Sequence, residues 1–196
     1  MDRQLPDLGA LTDLVTQAAC VITGLPGSGK STVACGLATA LNWPLFDKDD
    51  FLEKLYKDCM PANLDERRQL SRKSDAQFRD AAVKEQKAIL VSHWASPQGP
   101  VGTGTCTSWI APHFRNVVEI HCACSPQTAT DRFHNRTRHP GHLDRSRSYE
   151  DIAEQMQALA QGYPLRHWPT IEIRTETRSD LTALAQQVLD KLSETR

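Results

Sequence analysis

Five short apolar runs, separated by longer and more polar segments, set the pattern of the chain. The runs cover residues 18–23, 43–46, 88–92, 117–123 and 171–174. Short continuous apolar runs of this kind are typical of strands that are buried on both faces of a sheet. The pattern therefore predicts five buried strands.

The segments between the runs show the spacing of helices. Val33, Leu37 and Leu41 recur every four residues, and Phe78 and Ala82 share one face before the third run. Apolar residues three or four positions apart form one stripe on a helix, which packs against the sheet. Helices are therefore expected between the strands.

Three helix starts are indicated by capping residues. Ser125 precedes Pro126, Ser148 is followed by Asp151 three residues later, and Ser179 precedes the last helical pattern. Strands that alternate with helices pair in parallel through crossover connections. We therefore expect an α/β protein, a three-layer α/β/α sandwich around a five-stranded parallel sheet, with ligands at the carboxyl ends of the strands.

The 196 residues are enough for one domain with a sizeable core. We expect residues 1–17 to form a short extension and residues 18–196 to form a single domain with a small lid at about 132–147. Residues 95–108 are rich in Gly, Ser, Thr and Pro, which predicts a flexible loop near the site.

A phosphate-binding motif lies between the first apolar run and the first helical pattern. Gly24, Gly29, Lys30 and Ser31 fit G-x-x-x-x-G-K-[ST] within "TGLPGSGKST". In such a loop the backbone amides surround the β-phosphate, Lys30 reaches the β and γ oxygens, and Ser31 ligates Mg²⁺. Thr32 either adds a contact to the α-phosphate or is an ordinary first-turn threonine.

The motif predicts ATP and Mg²⁺ as cofactors. The residues expected to hold the nucleotide phosphates are Gly24, Gly27, Ser28, Gly29, Lys30, Ser31 and Thr32. The loop does not identify the reaction, because switches, motors and kinases share it.

Two reaction classes are disfavoured by what surrounds the loop. The fourth run ends "VVEIHCACSP" and lacks the Asn-Lys-x-Asp sequence that reads guanine. The third run reads "AILVSHW" and lacks the acidic pair with which motor ATPases hold Mg²⁺ and orient water. A GTPase and a hydrolytic motor are therefore both disfavoured.

Carboxylates instead follow the second run, in "LFDKDDF". Asp47 and Asp49 are two residues apart and lie on the same side of an extended segment. There Asp47 could bind a water on Mg²⁺, and Asp49 could accept the proton of an attacking hydroxyl. A helix-capping cluster is the structural alternative.

A basic segment follows the fourth run. Arg132 and Arg136 are four residues apart on a helix that begins at Ser125, and Arg138 lies just beyond. Three arginines on a mobile lid can neutralise charge on a transferring phosphoryl group, although a solvated basic face is the alternative. We expect the lid histidines, His134, His139 and His142, to form hydrogen bonds rather than a metal site.

Charge and cysteine content limit the partners and the cell compartment that we expect. The net charge of -1 gives no basic excess for non-specific nucleic acid binding, so nucleic acid is possible but not favoured. The six cysteines form no disulfide framework, and no apolar run is long enough to span a membrane. We expect a cytoplasmic protein with reduced thiols, and we do not expect a metal at His121, Cys122 and Cys124, because His121 points away from both cysteines on a strand.

Taken together, these residues resemble the shikimate and gluconate kinase group of small P-loop kinases over almost the whole chain after residue 18. The resemblance implies a P-loop NTPase fold of the nucleoside-kinase type. "DKD" at 47–49 resembles the D-x-D of these kinases, which implies that Asp49 lies against the acceptor hydroxyl. "SDAQFRDAAVKE" resembles their G-E-x-x-F-R segment, which implies that Arg79 points at the acceptor. "YPLRHWPTIEIRTET" resembles their P-L-Y segment and adenine-binding turn, which implies that Thr175 lies near the base.

Two departures from that group concern the acceptor. Gly162 stands where shikimate kinases have an arginine that clamps the substrate carboxylate, and Ser92, His93 and Trp94 replace their glycine triplet. Shikimate itself is therefore disfavoured. His93 and Trp94 lie where an acceptor would bind, and Trp94 either stacks on a sugar or base or packs in the core.

We therefore expect an ATP-dependent kinase acting on a hydroxyl of a small polar acceptor, such as a sugar, a sugar acid or an antibiotic-like molecule. Lys30, Asp49 and Arg136 are the expected catalytic residues. The lid and "DKDDF" also resemble polynucleotide 5′-hydroxyl kinases and antibiotic phosphotransferases, so an end kinase and a non-catalytic ATP sensor or ATPase stay open as alternatives. A monomer and a homodimer are both compatible with the sequence.

Overall fold

The computed structural model describes residues 16–98, 103–144, 147–177 and 179–194. Its core is a five-stranded parallel sheet with the strand order β2-β3-β1-β4-β5. The strands are β1 (Ala18–Thr23), β2 (Leu45–Asp47), β3 (Lys87–Val91), β4 (Asn116–Ala123) and β5 (Thr170–Arg174). The α/β class and the five-stranded parallel sheet expected from the apolar runs are therefore confirmed.

Helices connect the strands and cover both faces of the sheet. They are α1 (Lys30–Leu41), α2 (Lys48–Asp58), α3 (Leu64–Ala82), the one-turn α4 (Ile110–His113), α5 (Pro126–Asn135), α6 (Tyr149–Ala160) and α7 (Leu181–Glu194), with a 3₁₀ turn at Pro140–His142. Among these helices, none is long and apolar enough to cross a membrane.

Alternation along β1 divides the core into two layers. Cys20 and Ile22 face α1 and α7, whereas Ala19 and Val21 face α3 and α4. Because successive side chains of a strand point to opposite faces, a fully apolar strand requires cover on both sides. A third apolar cluster joins Leu25 of the phosphate loop to α5 and α6.

Capping residues account for most helix starts. Ser125 accepts the Thr128 N–H and precedes Pro126, and Ser148 forms the expected capping box with Asp151. The last helix begins at Leu181, where the Asp180 carboxylate accepts two backbone N–H groups. The expected start at Ser179 was therefore wrong, because Asp180 provides the cap.

The second strand also differs from its prediction, since it begins at Leu45 and not at residue 43. Trp43 is buried in the layer formed by α1 and α7, and its N–H donates to Ala38 O at 3.1 Å. Trp43, which extended the predicted run, therefore packs at the end of α1 and is not part of β2. Residues 1–15 of the predicted extension and residues 99–102 of the predicted flexible loop lie outside the described residues.

Candidate active site

The phosphate loop connects β1 to α1 and curls over the carboxyl end of the sheet. Gly24 has φ +133°, and a Cβ there would lie 2.5 Å from the Cys122 carbonyl oxygen. Gly27 has φ +85°, and its Cβ would lie 2.5 Å from the Ala129 carbonyl oxygen. Both positions therefore require glycine, since the loop is pressed against β4 on one side and α5 on the other.

Lys30 is held inside this loop. Its Nζ donates to Gly24 O at 3.0 Å and to Leu25 O at 2.8 Å, in the place where phosphate oxygens would be bound. Burial, and to a smaller extent the charge of Arg136, lower the pKa of Lys30 to about 8 against the opposing effect of Cys122, Asp49 and Asp47. A polyanion in the loop would restore the charge of this amine.

The loop also carries a buried hydroxyl without a partner. Ser28 Oγ has no hydrogen-bond partner among the described residues, although it is shielded from water. An unsatisfied buried hydroxyl costs free energy unless a ligand supplies a partner. This atom and the Lys30 amine fit the phosphates of a bound nucleotide.

Ser31 and Asp47 form the candidate magnesium site. Ser31 Oγ donates to Asp47 Oδ2 at 2.8 Å, and the other carboxylate oxygen of Asp47 accepts the Asp49 N–H at 3.0 Å. Hydroxyl and carboxylate oxygens are the ligands that Mg²⁺ takes, usually with retained waters. Asp47 therefore caps α2, as the structural alternative predicted, and its role toward Mg²⁺ stays a prediction.

Asp49 lies at the start of α2, beside this pair. It forms an ion pair with Arg138, which also binds Asp144 Oδ2 at 2.9 Å. Burial raises the pKa of Asp49, but Arg138, His142 and Arg136 outweigh burial and hold that pKa below its usual value. Asp49 is therefore ionised at neutral pH and can accept a hydrogen bond from a hydroxyl.

The lid docks onto α2. His142, whose side chain is fully buried, contacts Glu53 Oε1 through Nε2 at 2.9 Å, and His139 stacks on Tyr56 with 5.2 Å between ring centroids. His139 Nδ1 accepts the Gly141 N–H at 3.2 Å. These contacts agree with the hydrogen-bonding role expected of these two lid histidines.

The arginines of the lid do not share one helical face. Helix α5 ends at Asn135, so Arg136 is extended and stacks on the Phe133 ring at 4.2 Å. The expected pairing of Arg132 with Arg136 on one face was therefore wrong. Burial and the adjacent Arg138 lower the pKa of Arg136 to about 10, which leaves it charged at neutral pH.

Arg132 and Thr175 meet on the other side of the loop. Arg132 Nη2 donates to Thr175 O at 3.0 Å, and the Thr175 N–H donates to Ala123 O at 3.0 Å. Thr175 lies against Gly29, the N-cap residue of α1. The structure therefore brings these two residues, predicted to contact the nucleotide, next to the phosphate loop.

His93, which is predicted to contact the acceptor, lies beside Tyr163. Its Nδ1 contacts the Tyr163 hydroxyl at 3.2 Å, and that hydroxyl donates to Trp94 O at 3.0 Å. Burial lowers the pKa of His93 to about 4, with further lowering by Lys30 and Lys48. His93 is therefore neutral at pH 7 and can take part in hydrogen bonds without adding charge.

Trp94 does not line the cleft, which is the region bounded by the phosphate loop, the start of α2 and the first half of α3. Its side chain is 1% exposed, packs on Phe78, and donates its indole N–H to Ile22 O at 2.8 Å. The structure thus corrects the placement of Trp94 among the acceptor-binding residues, because its ring and its polar atom are both used by the core.

The structure also corrects the placement of Arg79. Its side chain is 49% exposed and pairs with the neighbouring Asp80 at 3.1 Å. Phe78 is fully buried, and consecutive helical residues point about 100° apart, so Arg79 is turned away from the sheet. The described contacts of Arg79 therefore do not bring it to the cleft.

Other side chains of α3 face the cleft instead. Lys48 Nζ bonds Asp75 Oδ1 at 2.8 Å and Ser71 Oγ at 3.0 Å. Ser92, at the end of β3, reaches the same Asp75 through Thr105, with distances of 2.6 and 2.7 Å. The position of Phe78 in the apolar stripe could have revealed this face, because Ser71 and Asp75 are seven and three residues before it.

Gly162 leaves no room for the clamp arginine of shikimate kinases. A Cβ at this position would lie 2.7 Å from Ser96 Oγ. A larger side chain would therefore have to displace the loop after β3. This contact agrees with the expectation that the acceptor is not held as shikimate is.

The cysteines do not form a metal centre. All six are free, and Cys122 is buried against α1 and α7, whereas His121 lies near Thr23 and Tyr163 on the other side of the sheet. Among the described residues no group of His, Cys, Asp and Glu could hold a metal ion on its own. The Ser31–Asp47 pair is not such a group, since it would share Mg²⁺ with phosphate oxygens.

Comparison with known proteins agrees with this geometry. A family described as an AAA domain matches residues 20–154, which is more than half of the chain. The chain belongs to this AAA domain family. The match includes the phosphate loop, the aspartates after β2 and the lid.

The individual proteins to which the chain is similar include kinases. The shikimate kinase of Corynebacterium jeikeium (strain K411) is 38% identical over 85 residues, and the match spans 43% of this chain and 40% of that protein. A solved structure of a candidate kinase from Chloroflexus aurantiacus is 25% identical, with a TM-score of 0.74 over 89% of this chain and 97% of that one.

The shikimate kinase of Acinetobacter baumannii, solved in complex with shikimate, is 16% identical, with a TM-score of 0.61 over 97% of this chain and 99% of that one. At this identity it shows the fold alone. With the family match, these relatives confirm the resemblance to small P-loop kinases that the sequence motifs predicted.

Proposed function

We propose that the protein is an ATP- and Mg²⁺-dependent kinase that transfers the γ-phosphoryl group to a hydroxyl of a small polar acceptor. The observation that carries the proposal is the chain of contacts from Ser31 through Asp47 to Asp49. These contacts support the proposal because they hold Asp49, whose charge acts on Asp47, next to the candidate metal site. A hydrolytic ATPase would instead orient water with a carboxylate at the end of β3, where this chain has Ser92.

The transfer would proceed in line. The acceptor oxygen forms a bond to the γ-phosphorus, the bond from that phosphorus to the β,γ-bridging oxygen breaks, and the acceptor proton passes to Asp49. Phosphoryl transfer has a loose transition state, so orientation of the hydroxyl matters more than the basicity of the carboxylate. The low pKa of Asp49 suits such an orienting role.

The other residues contribute charge and position. Lys30 would bind the β and γ oxygens after exchanging its contacts with Gly24 and Leu25 for contacts with phosphate. Mg²⁺, held by Ser31 and by Asp47 directly or through water, would neutralise the developing charge of the phosphates. Arg136 would add a cation from the lid, and Arg132 with Thr175 would contact the nucleotide on its other side.

Replacing Asp49 tests the proposal. Asp49→Asn should lower kcat for phosphoryl transfer by about 100-fold or more, since general-base and orienting groups contribute that much. ATP affinity should change little, because the described hydrogen bonds of Asp49 go to Asp47 and to Arg138 of the lid and not to the phosphate loop. The matched control is Asp50→Asn, which changes the next, exposed residue of α2. Full turnover in Asp49→Asn would contradict the role given to this carboxylate.

The acceptor class is tested by following labelled phosphate. Incubation with γ-labelled ATP and a panel of sugars, sugar acids, aminoglycoside-like polyols and 5′-hydroxyl oligonucleotides should place label on a small molecule. Label on oligonucleotides alone would favour an end kinase, and label only in free phosphate would favour an ATPase or sensor. Lys30→Ala should abolish both nucleotide binding and transfer, and activity in this variant would contradict the whole assignment.

A further inference from the structure

A row of polar side chains runs along the face of α3 that looks into the cleft. Arg67, Ser71 and Asp75 follow one another at intervals of four residues. They share the stripe of Phe78, which is fully buried, so this face of the helix is turned toward the sheet. The row therefore lies over the carboxyl ends of β2 and β3.

Lys48 fixes the position of this row. It is the first residue of α2, directly before Asp49, and its side chain is 12% exposed. Its amine binds both Ser71 and Asp75, at 3.0 and 2.8 Å. A cation is thereby held next to the carboxylate that is proposed to orient the acceptor.

Arg67 lies one helical turn before Ser71 in the row, and one nitrogen of its side chain lacks a hydrogen-bond partner among the described residues. Its Nε is buried and has no hydrogen-bond partner within the part of the chain that the structure describes. A buried guanidinium nitrogen without a partner costs free energy, so its retention calls for a partner that is absent from the free protein.

The charges of Arg67 and Asp49 influence the protonation of the same two aromatic side chains. Burial raises the pKa of Tyr56 to about 12, with Arg67 lowering it and Asp49 raising it. Burial lowers the pKa of His93 to about 4, where the charge of Arg67 adds to those of Lys30 and Lys48, and Asp49 opposes them.

We propose that Arg67 and Lys48 form an oxyanion-binding subsite for the phosphoryl acceptor. This proposal rests on the proposed function, because it places the subsite beside the hydroxyl that Asp49 orients. Lys48 is paired with Asp75, whereas Arg67 is in none of the ion pairs among the described residues, which leaves one positive charge, that of Arg67, for a ligand. An acceptor with one anionic group, such as a carboxylate or a phosphate monoester, fits that excess.

This subsite changes the expectation drawn from the sequence, which gave the acceptor one cation, Arg79. A purely structural pair of Lys48 with Asp75 would explain the buried lysine but not the unpartnered nitrogen of Arg67. Arginine is also suited to oxyanions, because its planar group donates two parallel hydrogen bonds.

Binding can be tested without turnover. The Nε–H signals of ¹⁵N-arginine-labelled protein would be recorded with ADP and Mg²⁺ present in excess, so that added anions do not enter the phosphate loop. The Arg67 signal is assigned as the one lost in Arg67→Lys. Gluconate or glucose 6-phosphate should move this signal, and the uncharged partners sorbitol and glucose should not.

Kinetics test the same subsite on any acceptor that the labelled ATP identifies. Arg67→Ala should raise KM for the acceptor about 10- to 100-fold, as loss of a hydrogen bond to a charged group does, with KM for ATP unchanged. Arg68→Ala is the matched control, since Arg68 is exposed and, among the described residues, pairs with Asp65. Arg79→Ala tests the rival assignment.

The two proposals fail in different ways. An Arg67 signal that no oxyanion of a broad carboxylate and phosphate panel moves, or that neutral polyols move equally, overturns the subsite. So does a labelled acceptor without an anionic group, or a rise in KM with Arg79→Ala and not with Arg67→Ala. Absence of any labelled acceptor counts against the kinase, and the Arg67 signal then still decides whether the subsite binds oxyanions.

Discussion

The protonation of Lys30 is expected to change when nucleotide binds. In the free protein its amine is held by two carbonyl oxygens, and burial lowers its pKa to about 8. Phosphate oxygens favour the charged amine, so nucleotide binding raises this pKa. Near pH 8 a fraction of the molecules must therefore take up a proton when ATP binds.

This proton uptake can be measured. At pH 8 roughly half of the free protein carries neutral Lys30, so ATP binding should take up to about half a proton at this residue. Calorimetric titrations in two buffers with different ionisation enthalpies give the number. Lys30→Arg, which stays charged, is the control for protons bound by ATP itself, and equal uptake in both proteins would contradict the lowered pKa.

Asp47 shows a conflict between function and stability at one residue. Burial, and then the neighbouring Asp49, raise the pKa of Asp47 to about 6. The folded-state pKa is thus above the unfolded value, so the ionised group costs stability above pH 6 and this cost disappears below about pH 4. Magnesium binding, however, requires the ionised form.

We therefore expect Asp47→Asn to stabilise the metal-free protein and to weaken Mg²⁺ binding. The variant should gain about 1 to 3 kcal/mol in free energy of unfolding at pH 8, with the gain vanishing as pH falls toward 4. Asparagine can still cap α2 and bond Ser31. Urea unfolding with chelator at several pH values measures the change, with the exposed Asp58→Asn as control; a gain that persists at pH 4 would rule out this cause.

At the scale of elements, the lid is docked by shape as well as by charge. Gly141 in the 3₁₀ turn lies so close to Tyr56 that a Cβ there would be 2.6 Å from the ring. Tyr56 is 2% exposed and cannot move aside without disturbing α2. The docked position of the lid, which brings Arg138 to Asp49, therefore requires that residue 141 has no side chain.

Gly141→Ala should hold the lid away from α2. We expect kcat to fall about tenfold or more, because a closed lid completes the site, while the fold itself changes little. Trypsin should cut faster after Arg136 and Arg138. Tyr56→Ala, which removes the ring on which His139 stacks, should also speed cleavage; unchanged cleavage in Gly141→Ala would show that the lid does not dock as described.

Elements are also where sequence reasoning was most and least successful. Capping at Ser148 follows from local hydrogen bonds, so the sequence identifies it without knowledge of the tertiary fold. The direction of a polar side chain on α3 depends on which apolar residue the sheet buries. Motif resemblance drew attention to Arg79, although the buried Phe78 turns Arg67 and Asp75 inward instead.

Trp94 shows the same limit for a core residue. Its place after β3 predicted a ligand contact or packing, and only the position of the Ile22 carbonyl, one strand away, decides between them. The phosphate loop was predictable because all of its function lies in consecutive residues. The acceptor side was not, because it is assembled from α2, α3 and the end of β3, which meet only in the folded sheet.

At the scale of the whole molecule, one buried carboxylate connects strand β4 to β1, to β5 and to the segment that leads into β5. Glu119, on β4, is 0% exposed. One of its oxygens accepts Thr23 Oγ1 and the Leu165 N–H, and the other accepts the Arg166 N–H and Thr170 Oγ1, at 2.7 to 3.2 Å. Strand β1, the segment before β5 and β5 itself are thereby fixed around one side chain.

Glu119→Gln should therefore destabilise the whole fold. Glutamine replaces one acceptor oxygen with an NH₂ group, which then faces two donors, and buried donors left without an acceptor cost about 1 to 3 kcal/mol each. A loss of roughly 2 kcal/mol or more in free energy of unfolding should appear in urea titrations. Glu172→Gln, exposed on β5, is the matched control. If both variants unfold at the same urea concentration, Glu119 does not hold these segments together.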